Sequence, residues 1–187
     1  MGIGAAIGSV VPRRHRNLPT QWLMTDERLG EDLWRALDAL PRGAGVIFRH
    51  YATPPAERRA LFAQVAKVAR CNGLVLVRAG AARLGRADGV HGAGRRRAGE
   101  LRTWPAHTRR ETLAGVKAGA DLLFVSPLFA TRSHPGGKTL SRAAAAAMLR
   151  GLPVPAIALG GMTARRFRTL RGFYGWAAID AWIARTD

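Results

Sequence analysis

From Gln21 onward, short apolar runs alternate with stretches whose apolar positions recur at helical spacing. Residues 22–24, 45–48, 74–77, 89–91, 102–104, 122–125, 154–159 and 174–179 read as eight strands. Continuous apolar runs bounded by turn residues suit strands that are buried on both faces. Helices are predicted around residues 32–40, 54–70, 109–118, 143–149 and 163–171. Pro54-Pro55 opens the second of these and Thr163 caps the last. Eight β-then-α units imply a parallel sheet covered on both sides. In 187 residues this means an α/β fold, a compact (β/α)8 TIM barrel with short or missing helices, below the usual ~250 residues. A doubly wound open sheet is the alternative. Polar residues and Gly recur just after the strands, where barrel sites are built, and this favours the barrel. No G-x-G-x-x-G follows a strand to support a dinucleotide site.

Composition narrows the picture. Apolar residues make up 48% of the chain and aromatics 7%, so it is globular and of a length for one domain. Residues 1–19 read as a poorly ordered tail, or alternatively a short amphipathic segment, and 20–187 as a single barrel domain. The tail's arginines follow its apolar stretch, the reverse of a secretory signal. No apolar run approaches the ~20 residues that span a bilayer, so no membrane partner is expected. Cys71 is the sole cysteine, which excludes an internal disulfide and fits a cytoplasmic protein. The net charge of +18 would flag nucleic acid, but 27 of the 30 basic residues are arginine. The chain is also rich in Ala and Gly, as GC-rich coding alone would produce. Specific nucleic-acid binding is not expected, and a homo-oligomer is left open.

Candidate chemistry concentrates after the sixth strand. Ser126-Pro127 ends the apolar run, and Thr131, Arg132, Ser133, His134, Gly136, Gly137 and Lys138 follow. Hydroxyls, cations and backbone N–H groups at the carboxyl end of a strand suit an anionic ligand. Gly160-Gly161 before a Thr-capped helix reads as a phosphate cradle or as a tight βα turn. Arg49 ends the second strand, as a two-pronged phosphate clamp or one more solvated arginine. His91, His107 and His134 are candidates for catalysis or ligation, with a structural role open for each. Carboxylates are scarce: between Glu57 and Glu100 there is only Asp88, before the fourth strand. The loops after strands three and four offer Arg78, Arg83, Arg86 and Arg95–Arg97 instead, a poor setting for a metal.

These motifs occur in the order found in a known family. Ala87-Asp88-Gly89-Val90-His91, Ala106-His107-Thr108, Gly119-Ala120-Asp121, Ser126 to Ser133 and Ala158-Leu159-Gly160-Gly161-Met162 together resemble thiamine phosphate synthases and their TenI-like relatives, from about Gln21 to Ala184. The resemblance implies a compact barrel that joins hydroxymethylpyrimidine diphosphate to thiazole phosphate with Mg²⁺, releasing diphosphate. The alternative it allows is a catalytically impaired TenI-like member that binds thiazole phosphate or a similar phosphorylated heterocycle. By that resemblance Arg49 holds diphosphate, Thr131 and Ser133 contact the thiazole substrate, and Gly160-Gly161 is the phosphate turn. Residues and resemblance together assign catalysis to Arg49, His107 and His134. They assign substrate contacts to Thr131, Ser133, Lys138, Gly160, Gly161, Ile179 and Asp180. The chain also departs from the pattern. Ile47 and Tyr51 replace a glutamine and a lysine, and Pro105 replaces a serine. His134 replaces the lysine ending Thr-x-Thr-Lys, and Asp180 replaces a serine. Pro127 stands where tautomerases carry histidine. The Asn-Asp pair after the third strand and the Asp after the fourth are missing, so Mg²⁺ is implied while its ligands are not found.

Overall fold

A computed structural model describes residues 18–80, 84–131 and 136–183. Eight strands follow in chain order: β1 (Gln21–Met24), β2 (Gly45–Phe48), β3 (Val75–Ala79), β4 (Gly89–His91), β5 (Leu101–Ala106), β6 (Leu122–Val125), β7 (Ala156–Ala158) and β8 (Gly175–Ala178). Each pairs in parallel with the next, and β8 returns to β1 with Trp22 opposite Ala177. That closure decides for the barrel over the open sheet.

Five helices cover it: α1 (Asp32–Asp38), α2 (Pro55–Asn72), α3 (Arg109–Lys117), α4 (Arg142–Leu149) and α5 (Ala164–Phe167). Pro55 pre-sets the first turn of α2, and Arg58, Phe62, Val65 and Ala69 line its buried face, one helical stripe. Thr108 and Glu111 close a capping box at the start of α3, satisfying N–H groups that the helix cannot. The expected helix over 163–171 contracts to the four residues of α5, which buries none of them. An amphipathic face to bury is what normally stabilises so short a helix. Among the described residues the β3–β4 and β4–β5 connections carry no helix at all.

The barrel interior holds Trp22, Met24, Ile47, Val77, Leu122, Phe124 and Ile157, the alternate residues of their strands. Trp22 fills the centre, edge-on to Phe124 at 5.2 Å between ring centroids. Its strand neighbour Gly45 supplies the room, because a Cβ there would overlap the indole ring. Leu18 and Pro19, read from sequence as tail, are both buried. The Pro19 carbonyl accepts from Trp22 Nε1 at 2.8 Å and the Leu18 carbonyl from the Tyr174 hydroxyl at 2.9 Å.

Arg78 corrects the sequence reading. It does not belong to a loop at the barrel mouth but to β3, where alternation turns it away from the interior. There it meets Glu100 through two bonds of 2.7 and 2.8 Å, with side-chain exposures of only 10% and 8%. The carbonyls of Gly89 and Arg95 each accept a further N–H from Nη1 and Nη2. This ion pair packs the outer wall where the neighbouring connections have no helix to cover it.

Candidate functional site

The carboxyl ends of the strands surround an open cleft of about 1640 Å³. Arg49 lies on its β2 side, and its guanidinium is already engaged. Nε donates to the Thr25 carbonyl and Nη2 to Asp26 Oδ2, both at 2.9 Å. Its backbone N–H donates to Thr25 Oγ1, and Arg58 from α2 donates to its carbonyl at 2.7 Å. Burial opposes ionisation of Asp26, but hydrogen bonds from Arg28 and the charges of Arg28 and Arg49 outweigh it and hold the pKa below the ordinary value. Arg49 is therefore a fixed cation that shares the Asp26 carboxylate with Arg28.

His91 ends β4 and lines the floor of the cleft. Its Nδ1 lies 2.8 Å from Thr103 Oγ1, and its ring meets Phe124 edge-on at 5.6 Å. Burial, reinforced by the charge of Arg49, lowers its pKa to about 3, so the imidazole is neutral at physiological pH. His107 follows β5 and is exposed in the cleft. Its Nδ1 is 3.0 Å from the Ser126 carbonyl. The Ser126 hydroxyl lies 3.3 Å from the same nitrogen, so both contacts hold the ring in place and leave Nε2 without a protein partner among the described residues.

The β6 and β7 loops form the opposite side, with Thr131, Gly160 and Gly161 in the lining. Leu128 N donates to the Leu159 carbonyl at 3.0 Å and Phe129 N to the Gly160 carbonyl at 3.1 Å, so the two loops are zipped together. Gly160 and Gly161 have φ of 94° and 57°, and a Cβ on Gly160 would lie 2.7 Å from the Pro127 Cα. Close packing of the β6 loop alone thus requires glycine here. Among the described residues, the N–H groups of this pair donate to no protein acceptor. The helix dipole expected behind them is minor, since α5 has one turn.

Two residues of the β8 end, Ile179 and Asp180, also line the cleft. The Arg28 guanidinium, whose pKa is raised first by its hydrogen bond to Asp26, is raised further by the charge of Asp180. Asp180 therefore faces a cation across the β1 loop. Lys138, expected to touch substrate, is exposed and is not part of the lining. Ser133 and His134 lie outside the described residues. Arg166, which sequence reasoning passed over, is in the lining. It donates from Nη1 to the Gly161 carbonyl, and its guanidinium lies over the Phe129 ring at 5.0 Å.

The donor set does not fit Mg²⁺. Around β3 to β5 every carboxylate holds other partners. Asp88 accepts from Leu76 N, Glu100 from Arg78, Glu111 caps α3, and Asp121 accepts from Arg96 and Arg102. Among the described residues no three His, Cys, Asp or Glu side chains converge. The β3 and β4 ends present Gly80, Gly92, Ala93 and Gly94 to the cleft.

Residues 22–181 match the family described as Thiamine monophosphate synthase. The chain belongs to that family. Two curated relatives agree over shorter stretches. The Thiamine-phosphate synthase of Geobacillus kaustophilus is 36% identical over 80 residues, 41% of this chain and 36% of the relative. The Putative thiamine-phosphate synthase 2 of Aquifex aeolicus is 30% identical over 80 residues, 42% of this chain and 43% of the relative. The matched stretch thus spans well under half the length of either relative. Among solved structures, the thiamine phosphate pyrophosphorylase from Pyrococcus furiosus superposes with a TM-score of 0.74 at 20% identity, covering 90% of each chain. The 2-keto-3-deoxy-6-phosphogluconate aldolase of Zymomonas mobilis shares the barrel with a TM-score of 0.56 at 15% identity, covering 91% of this chain and 85% of that one. At such identities these two likenesses establish the fold. Among the described residues, no helix of this family member is long and apolar enough to cross a membrane.

Proposed function

We propose that the protein binds a phosphorylated heterocycle of the thiazole phosphate class in the cleft, as a catalytically impaired, TenI-like member of its family. The contrast between the two sides of the cleft carries this reading. On the β6–β7 side, beside Thr131, the N–H groups of Gly160 and Gly161 offer donors suited to phosphate ester oxygens. On the β3–β4 side, where the family holds Mg²⁺ and diphosphate, the lining among the described residues is glycines and an alanine, which supply neither carboxylate nor cation. Stabilising a departing diphosphate is the main thing a synthase site provides. Arg49 alone, balanced by Asp26, is a weak replacement. Pro127 in place of the tautomerase histidine also argues against isomerisation. The family and the lone Cys71 support a cytoplasmic setting.

The location of Arg49 at the cleft favours a second reading, coupling of the two thiamine precursors with arginine as the charge sink. The test offers both precursors with Mg²⁺ and with EDTA, alongside melting curves with thiazole phosphate. The binding reading expects a raised melting temperature and no thiamine phosphate above background. Robust product with Mg²⁺ refutes it, and product that survives EDTA establishes the arginine-assisted synthase.

A further inference from the structure

We propose that Arg166 is the anchoring cation for the phosphate end of the ligand, which places the anionic pole at the β7 turn and not at Arg49. This rests on the binding reading above. Arg49 and Arg166 are the two arginines among the described residues of the cleft lining, and they differ in charge balance. Arg49 pairs with Asp26 at 2.9 Å, whereas Arg166 forms no ion pair among the described residues. It gives a single N–H to the Gly161 carbonyl and rests on Phe129, which fixes the guanidinium against the glycine turn, whose Gly160 and Gly161 N–H groups find no acceptor among the described residues. A guanidinium has five donors, so one held by a carbonyl keeps a fork for an oxyanion.

The surroundings strengthen the asymmetry. Between Asp121 and Asp180 the chain has seven arginines, one lysine and no carboxylate, while from Gln21 to Asp121 ten carboxylates stand against eighteen basic residues. A coding bias toward arginine acts along the whole chain and does not empty one sector of acids. The described basic residues of that sector, Lys138, Arg142, Arg150, Arg165, Arg166, Arg168 and Arg171, are all exposed and take part in no ion pair among the described residues. The field over the β6–β7 side is therefore positive, with the Asp180 carboxylate opposing it at the β8 end. The short α5 contributes little, and Asp180 offers no welcome to an anion at β8. Arg166 takes over the task that the family pattern gives to a serine there.

The experiment compares wild type, Arg166→Gln and Arg166→Lys by calorimetry and melting curves. The probes are thiazole phosphate, its dephosphorylated alcohol and inorganic phosphate. Gln keeps a donor for the Gly161 carbonyl and removes the charge. The expected result is a loss of roughly 10- to 100-fold in thiazole phosphate affinity in Arg166→Gln. Partial recovery is expected in Arg166→Lys, with unchanged affinity for the alcohol. Wild-type affinity for the phosphate should also fall with added salt. Unchanged phosphate affinity in Arg166→Gln overturns the proposal, and so does equal loss for phosphate and alcohol, which marks a merely structural role. If wild type ignores thiazole phosphate but binds inorganic phosphate through Arg166, the heterocycle reading fails and the anchor stands. If it binds neither, both fall.

Discussion

Removing the carboxylate of Glu100 while keeping its shape, as in Glu100→Gln, leaves the Arg78 guanidinium buried without its counter-charge. The pair is joined by two short bonds and is nearly inaccessible to water. Screening therefore does little, and the cost of breaking one partner is that of a buried pair, about 3–5 kcal/mol. That is a large share of the ~5–15 kcal/mol that holds a domain folded. For a chain of this size it corresponds to a drop of roughly 10 °C in Tm. Replacing both residues, as in Arg78→Met with Glu100→Leu, removes the desolvation penalty together with the attraction and should be close to neutral for stability. The double-mutant cycle by urea denaturation, closed with Arg78→Met and Glu100→Leu as the single variants, then shows a coupling larger than either single cost. Acid should reproduce the effect. Hydrogen bonding to Arg78 holds the Glu100 pKa below the ordinary glutamate value. Its stabilisation is thus complete above that value and is lost as pH falls through the lower folded pKa. Additive single-mutant costs, with coupling below ~0.5 kcal/mol, would refute the argument that this pair closes the wall.

Two further predictions concern the barrel interior. Gly45→Ala forces a methyl into the Trp22 ring, so stability should fall by about 1–3 kcal/mol with a perturbed tryptophan fluorescence spectrum, and an unshifted denaturation midpoint would count against the packing described. His91, with a folded pKa of about 3 against 6.5 in the unfolded chain, takes up its proton only on unfolding between those values. Stability should therefore decline as pH falls below ~6.5, by up to about 1.4 kcal/mol per pH unit for one proton, and His91→Gln should flatten that slope. Parallel slopes for the variant and wild type between pH 6.5 and 4 would show that His91 is not the group responsible.

Much of the barrel was legible because its causes are local. Apolar runs of strand length, Pro55 at a helix start and the Thr108–Glu111 cap each act within a few residues. Family membership was legible for a similar reason, since motif order survives in the chain itself. Charge balance was not, because it depends on which residues meet across the barrel. Arg78 looked like a mouth arginine, yet strand alternation turns it outward onto Glu100, 22 residues later. Arg49 reads from sequence as a phosphate clamp or a solvated arginine, and only the fold sets Asp26 against it. Gly160-Gly161 suggested a ligand cradle, whereas the approach of the β6 loop already demands glycine. Arg166 gave no signal beyond its place after Thr163. Its meaning came from the Phe129 ring beneath it and from the carboxylates its sector lacks. The sequence alone determined the fold and the family. Tertiary structure decided which cations are already neutralised, because Coulomb partners are set by distance in space and not by order along the chain.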